Sequence, residues 1–121
     1  AINVPDVRAA AQWYVENLGM RIVIASQTAP YMTFIADSAG SMMELYTRTD
    51  IAPPDYSQVN PFNLHFAFSV DDIEGTRDAL IAAGATTTDQ ITTNPAGDQL
   101  IFLRDPWQVP IQILKRKKPM I

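Results

Sequence analysis

The chain has 121 residues, 47% apolar and 18% charged, with 9 Lys+Arg against 13 Asp+Glu, one His and no Cys. Such a length and apolar content specify a single folded domain, residues 1–121, able to withdraw about 65% of its unfolded surface from water, and they exclude a disordered chain. A Cys-free composition excludes disulfide scaffolds, thiolate catalysis, iron–sulfur clusters and zinc–thiolate sites, and no apolar run approaches the ~20 residues of a membrane helix. A cytoplasmic protein with no membrane segment and no signal peptide is expected.

Charge is uneven along the chain. Lys115, Arg116, Lys117 and Lys118 supply four of the nine basic residues, leaving five basic against thirteen acidic groups elsewhere. A body that acidic repels phosphate backbones, so nucleic acid is not an expected partner and the basic run reads as a solvated tail.

In chain order, Ala1–Val4 reads as a short strand, followed by Val7, Ala10, Ala11, Tyr14, Val15 and Leu18 at helical spacing. Asp6 stands at the expected N-cap and Gly19 just past the end. Three strand-like runs follow at Met20–Ser26, Tyr31–Ala36 and Ser41–Tyr46, then a Pro-containing loop over 49–62. The order then repeats. Leu64–Val70 is a strand, and Ile73, Thr76, Leu80 and Ala83 mark a helix opened by an Asp71-x-x-Glu74 capping box and closed by Gly84. Thr86–Thr92, Gln99–Leu103 and Val109–Leu114 are the last three strands.

The two halves superpose as sequences. Ala1 to Val7 match Ala67 to Ile73 at an offset of 66, Leu18-Gly19 match Ala83-Gly84 at 65, and Phe34, Asp37 and Glu44 match Phe102, Asp105 and Gln112 at 68. Offsets this steady indicate a duplicated βαβββ unit. The expected fold is α+β, with module one at 1–48 and module two at 63–121 forming a curved mixed sheet around a cavity. Strand alternation puts Leu64, Phe66, Phe68 and Val70 under a helix and Asn63, His65, Ala67 and Ser69 on the other face. By the same rule Met42, Glu44 and Tyr46 stand opposite Met43 and Leu45, and Pro110, Gln112 and Leu114 stand opposite Ile111 and Ile113.

In these features the sequence resembles the vicinal oxygen chelate superfamily, which comprises glyoxalases, bleomycin-resistance proteins and extradiol dioxygenases. The resemblance spans nearly the whole chain. It rests on the paired modules, on Trp13-Tyr14-x-x-x-Leu18-Gly19, on His65-Phe66-Ala67-Phe68-Ser69-Val70-Asp71-Asp72, and on Asp105-Pro106-Trp107 before the last strand. It implies metal ligands on the first and last strands of each module, which here are Glu44, His65 and Gln112. The fourth position would lie two residues ahead of Ala1, outside this sequence. The implied metal is a divalent ion such as Zn, Ni, Mn or Fe. Gln112 departs from the family's usual carboxylate: an amide can lend a carbonyl oxygen but cannot titrate, so Glu44 is the one family-position carboxylate left to act as catalytic base.

Two functions follow from the resemblance. One is a metal-dependent lyase, isomerase or epimerase acting on a small oxygen-chelating substrate. The other is a metal-free protein that sequesters a planar ligand in a cleft lined by Met42, Tyr46, Trp107 and Leu114. A structural hydrogen-bonding role for His65 or Gln112, a surface role for Glu44 and simple packing by Trp107 compete with both. A single His and the lack of a Gly-x-Ser-x-Gly elbow exclude hydrolase triads, and no glycine-rich phosphate loop is present. A small-molecule ligand and a homodimer are the expected partners.

Overall fold

The first helix begins where the sequence supplies a cap. Asp6, in extended conformation, accepts the Ala9 N–H, and Gly19 closes α1 (Val7–Leu18) in the left-handed region at φ 66°. In the computed structural model, which describes residues 1–121, this helix belongs to a compact unit spanning Ala1–Pro54; a second unit spans Asp55–Ile121. The first unit is a four-stranded mixed sheet ordered β1 (Ile2–Asn3), β4 (Met42–Tyr46), β3 (Thr33–Ala36) and β2 (Arg21–Ala25). Parallel β1–β4 pairing and the antiparallel ladders between β4, β3 and β2 fix the faces. Tyr14 of α1 and Ile35 and Leu45 of the sheet are fully buried, forming the core of the unit.

The second unit repeats the plan: β5 (Phe66–Ser69), β8 (Pro110–Lys115), β7 (Gln99–Arg104) and β6 (Thr92–Thr93), with α2 (Ile73–Ala82) packed on β8. Its core is Leu80 of α2 with Ile101, Leu103, Ile111 and Ile113, all buried on the helical face. Of the helical-spacing residues of the sequence, Val7, Ala10, Ala11 and Tyr14 of α1 and Ile73 and Leu80 of α2 are buried in their units' cores, while Val15, Leu18, Thr76 and Ala83 are half-buried.

The duplication extends to single hydrogen bonds. Asp37 Oδ1 accepts the N–H groups of Ala39 and Ser41, both at 2.9 Å, and Asp105 Oδ1 accepts those of Trp107 and Val109 at the same distance. The main-chain N–H of Asp37 donates to Ser41 and that of Asp105 to Val109, each at 3.0 Å. Both turns contain a left-handed residue, Gly40 at φ 94° and Gln108 at φ 71°. The N–H donors, Ser41 foremost, hold the Asp37 carboxyl below the ordinary carboxylate range.

Several expected details change. The Thr86–Thr92 strand does not form: only Thr92–Thr93 pairs with β7, and Thr86 makes one isolated bridge to Arg104. Between them side chains replace the ladder, since Thr87 Oγ1 donates to the Phe102 carbonyl and Asp89 Oδ2 accepts the Phe102 N–H. The fifth strand starts at Phe66, so Leu64 and His65 precede it and Leu64 is exposed. The α2 N-cap is Asp72, which accepts the Gly75 N–H, and not the Asp71-x-x-Glu74 box. The basic tail is partly tethered: buried Asp98 accepts the Lys117 N–H at 2.9 Å and pairs with Arg116 at 3.0 Å.

Candidate functional site

Each unit presents a sheet face turned away from its helix. In the first unit the register pairs Phe34 with Glu44 and Ala36 with Met42, so Glu44, Met42, Tyr46 and Phe34 share that face. Met42 is 60% exposed, and Glu44 and Tyr46 are half-buried. The Glu44 carboxylate has no hydrogen-bond or ion-pair partner in the protein.

In the second unit β7 and β8 pair Phe102 with Gln112 and Leu100 with Leu114, and β5 pairs Ala67 with Gln112. Phe102 stands opposite Gln112 as Phe34 stands opposite Glu44, at the offset of 68 seen in the sequence. His65 reaches this face from the loop before β5: its ring meets Phe102 edge-on, with centroids 5.1 Å apart. Gln112 is half-buried and, like Glu44, has no protein partner. Leu114 is buried and offers a ligand little surface. Trp107 lies half-buried in the turn before β8, its main-chain N–H held by Asp105.

His65 is held in a defined orientation. Its Nδ1 lies 2.7 Å from the Pro61 carbonyl, which can only accept, so Nδ1 carries the proton and Nε2 presents a lone pair when the ring is neutral. The segment that supplies this carbonyl is itself fastened. Asn60 Oδ1 accepts the Phe62 N–H, and the Asn60 carbonyl accepts the N–H groups of Asn63 and Leu64. Arg104 clamps the preceding turn by donating from Nη1 to the Tyr56 carbonyl and from Nη2 to the Val59 carbonyl, while Nη1 also donates to the Gln108 carbonyl in the turn before β8.

The second unit offers an imidazole whose other nitrogen is committed to a carbonyl, the usual arrangement of a ligating His, together with a free amide oxygen. The first offers a free carboxylate. Within neither unit do three His, Cys, Asp or Glu side chains gather. The Glu44 carboxylate in the first unit, and the His65 nitrogen and Gln112 amide oxygen in the second, are each donor types that hard or intermediate divalent ions accept, and neither unit alone supplies the three protein ligands of a catalytic centre.

Alongside the anticipated residues stand others that sequence reasoning passed over. Phe102 and Phe62 pack edge-on with centroids 5.4 Å apart. They border a cavity of about 430 Å³ that is also lined by Thr87, Thr88, Asp89 and Arg104. The repeat held the signal for Phe102, since it pairs with Phe34. Nothing in the sequence singles out Phe62 or the Arg104 clamp.

Comparison with known proteins accords with these features. A probable lactoylglutathione lyase from Vibrio cholerae is 27% identical over 97% of this chain and 88% of its own length. Among solved structures, a glyoxalase family protein from Bacillus cereus superposes with TM-score 0.78 at 16% identity, covering 95% of this chain and 92% of that one. TnmS3, an antibiotic binding protein from Streptomyces sp. CB03234, superposes with TM-score 0.71 at 18% identity over 96% and 91% of the two chains. The profile of the Glyoxalase/Bleomycin resistance protein/Dioxygenase superfamily matches residues 1–113, and with its two βαβββ units the chain belongs to that superfamily.

Proposed function

We infer that the chain is a glyoxalase-type lyase or isomerase that uses a divalent ion and acts on a small substrate with adjacent oxygens. The observation that carries this reading is that Glu44, His65 and Gln112 each keep a donor atom free of protein partners, with His65 Nε2 presented by the Pro61 contact. The relative named as a probable lactoylglutathione lyase supports the same reaction class. A bound divalent ion would polarise the substrate's oxygens. In this reading Glu44 takes and returns the proton, because Gln112 cannot titrate, and His65 holds its ligand nitrogen in place through Pro61. Met42 and Tyr46, which share the Glu44 face, line the substrate's approach, with Trp107 at the rim.

A second reading, metal-free binding of a planar ligand, is favoured by one observation: the His65 ring sits in an aromatic cluster with Phe102 and Phe62. Elemental analysis of the protein expressed from its natural gene separates the two. Stoichiometric divalent metal that is lost in both His65→Ala and Glu44→Ala supports the lyase reading. Metal absent even after loading overturns it in favour of the binding protein. The proposal includes a cytoplasmic homodimer. It is supported by the Cys-free composition and by exposed Ile22, Val23 and Ile24 on the edge strand β2, and a monomer in light scattering would count against it.

A further inference from the structure

The second unit contains a cavity that includes none of Glu44, His65 and Gln112, and it opens where the internal repeat breaks down. In the first unit the edge strand β2 runs alongside β3 from Arg21 to Ala25. In the second, the equivalent segment leaves β7 after Thr86 and rejoins it at Thr92, and the excursion over 87–91 creates the space.

Three features of the walls define what would bind. Phe62 is 84% exposed although it packs edge-on against Phe102, so two phenyl rings offer one side of the cavity to a flat apolar group. Arg104 brings a positive charge with no acidic partner. The chain's ion pairs involve Arg48, Arg77 and Arg116, while Arg104 bonds only carbonyl oxygens, which satisfy N–H groups but carry no net charge. Those bonds occupy both Nη1 hydrogens and one on Nη2, leaving Nε–H and one Nη2–H of the five donors free. Asp89 uses its carboxylate only for a long contact of 3.4 Å to the Phe102 N–H, and the Thr88 hydroxyl has no partner. An aromatic wall, an uncompensated guanidinium and a carboxylate with spare acceptor capacity call for different groups on one ligand.

We propose that this cavity binds a planar hydroxyaromatic monoacid. Its ring system lies against Phe62 and Phe102, its carboxylate meets the Arg104 charge, and its hydroxyl donates toward Asp89. A cavity of about 430 Å³ accommodates a two-ring acid, within the range usual for small-ligand sites. The Asp89 charge disfavours a second anionic group at that end. The cavity shares Phe102 with the face that carries His65 and Gln112, so the proposal rests on the second, planar-ligand reading, but it needs neither a bound ion nor a bond from Glu44, His65 or Gln112.

The test is a fluorescence titration of the intact protein with 6-hydroxy-2-naphthoate, with and without EDTA. The expected result is saturable one-to-one binding that EDTA leaves unchanged. The neutral analogue 2-naphthol should bind about tenfold or more weakly, and Phe62→Ala should weaken naphthoate binding about tenfold without shifting thermal unfolding. Equal binding of naphthol and naphthoate overturns the anion subsite. Undiminished binding by Phe62→Ala overturns the ring placement, and absence of saturable binding overturns the site. Abolition of binding by EDTA would assign the ligand to a metal centre. Failure of the metal proposal, read by elemental analysis, leaves this titration unaffected.

Discussion

Removing the Arg104 clamp should loosen His65 without touching it. Arg104 donates to the Tyr56, Val59 and Gln108 carbonyls at 2.7, 2.9 and 3.1 Å, tying the turn before Asn60 to the end of β7. Pro61, two residues beyond Val59, supplies the carbonyl that holds His65 Nδ1. In Arg104→Met the aliphatic stem is replaced by a chain of similar length, so packing is largely kept while three hydrogen bonds disappear. At about 1 kcal/mol net for each bond of a half-buried donor, the loss is about 3 kcal/mol, against a total stability of about 5–15 kcal/mol. For a chain of this size that lowers Tm by about 10–15 °C. His65 is the only imidazole in the chain, so its ring nitrogens give an unambiguous NMR signature. The wild-type ring should be protonated at Nδ1 with slow exchange of that proton, and the variant should show mixed tautomers and fast exchange. Urea unfolding that shows a loss under about 1 kcal/mol, together with an unchanged Nδ1–H signal, would refute the chain of support from Arg104 to His65.

Three further outcomes follow from the turns and the tail. Asp105→Ala strands the Trp107 and Val109 N–H groups at a fully buried position and should cost about 3–4 kcal/mol in urea unfolding, whereas Asp105→Asn keeps an acceptor and should cost about 1 kcal/mol. Gln108→Gly removes a left-handed strain of about 1–2 kcal/mol at φ 71° and adds about 0.5–1 kcal/mol of unfolded-chain entropy, so it should stabilise by about 0.5–1 kcal/mol; a drop in Tm would contradict this. The Asp98 carboxyl lies below the ordinary carboxylate range, chiefly because the Lys117 N–H donates to it, with Asn94 and Arg116 adding to the effect. A lowered folded-state pKa means the stabilisation is complete above the unfolded value of about 3.9 and is lost as pH falls through the folded value. Acid unfolding followed by circular dichroism should therefore be less steep in Asp98→Asn than in the wild type, and identical acid limbs would contradict the clasp.

The scaffold was legible because its determinants are local and occur twice. Asp6 and Gly19 bound α1 through contacts within a few residues, and the paired turns at Asp37 and Asp105 repeat the same donors at the same spacing. The 86–92 segment misled because its run of Thr and Ile has strand propensity, while Thr87 and Asp89 bond the Phe102 backbone with their side chains and displace the ladder. Period-two alternation put Gln112 on the face away from α2 and Glu44 on the face away from α1, but it says nothing of what fills the space above a face. The Phe102 contact with His65 and the clamp from Arg104 to carbonyls 45 and 48 residues earlier depend on loop paths that no local pattern encodes.

The two copies divide into what they share and what they do not, and the division separates scaffold from chemistry. Helix caps, Asp turns, left-handed turn residues and the aromatic partner on the neighbouring strand are common to both. One difference lies at the position facing that aromatic, where the first unit has a carboxylate and the second an amide. Another lies at the sheet edge, complete as β2 in the first unit and interrupted in the second, where the cavity opens. A carboxylate can hold or move a proton and an amide cannot, so only the first copy retains that capacity at this position. The second copy instead carries an oriented imidazole and an aromatic recess with an uncompensated Arg104, groups suited to holding a ligand. On the proposed function the divergence gives proton handling to Glu44 and ligand recognition to the second unit, and the elemental analysis and the naphthoate titration test those two proposals separately.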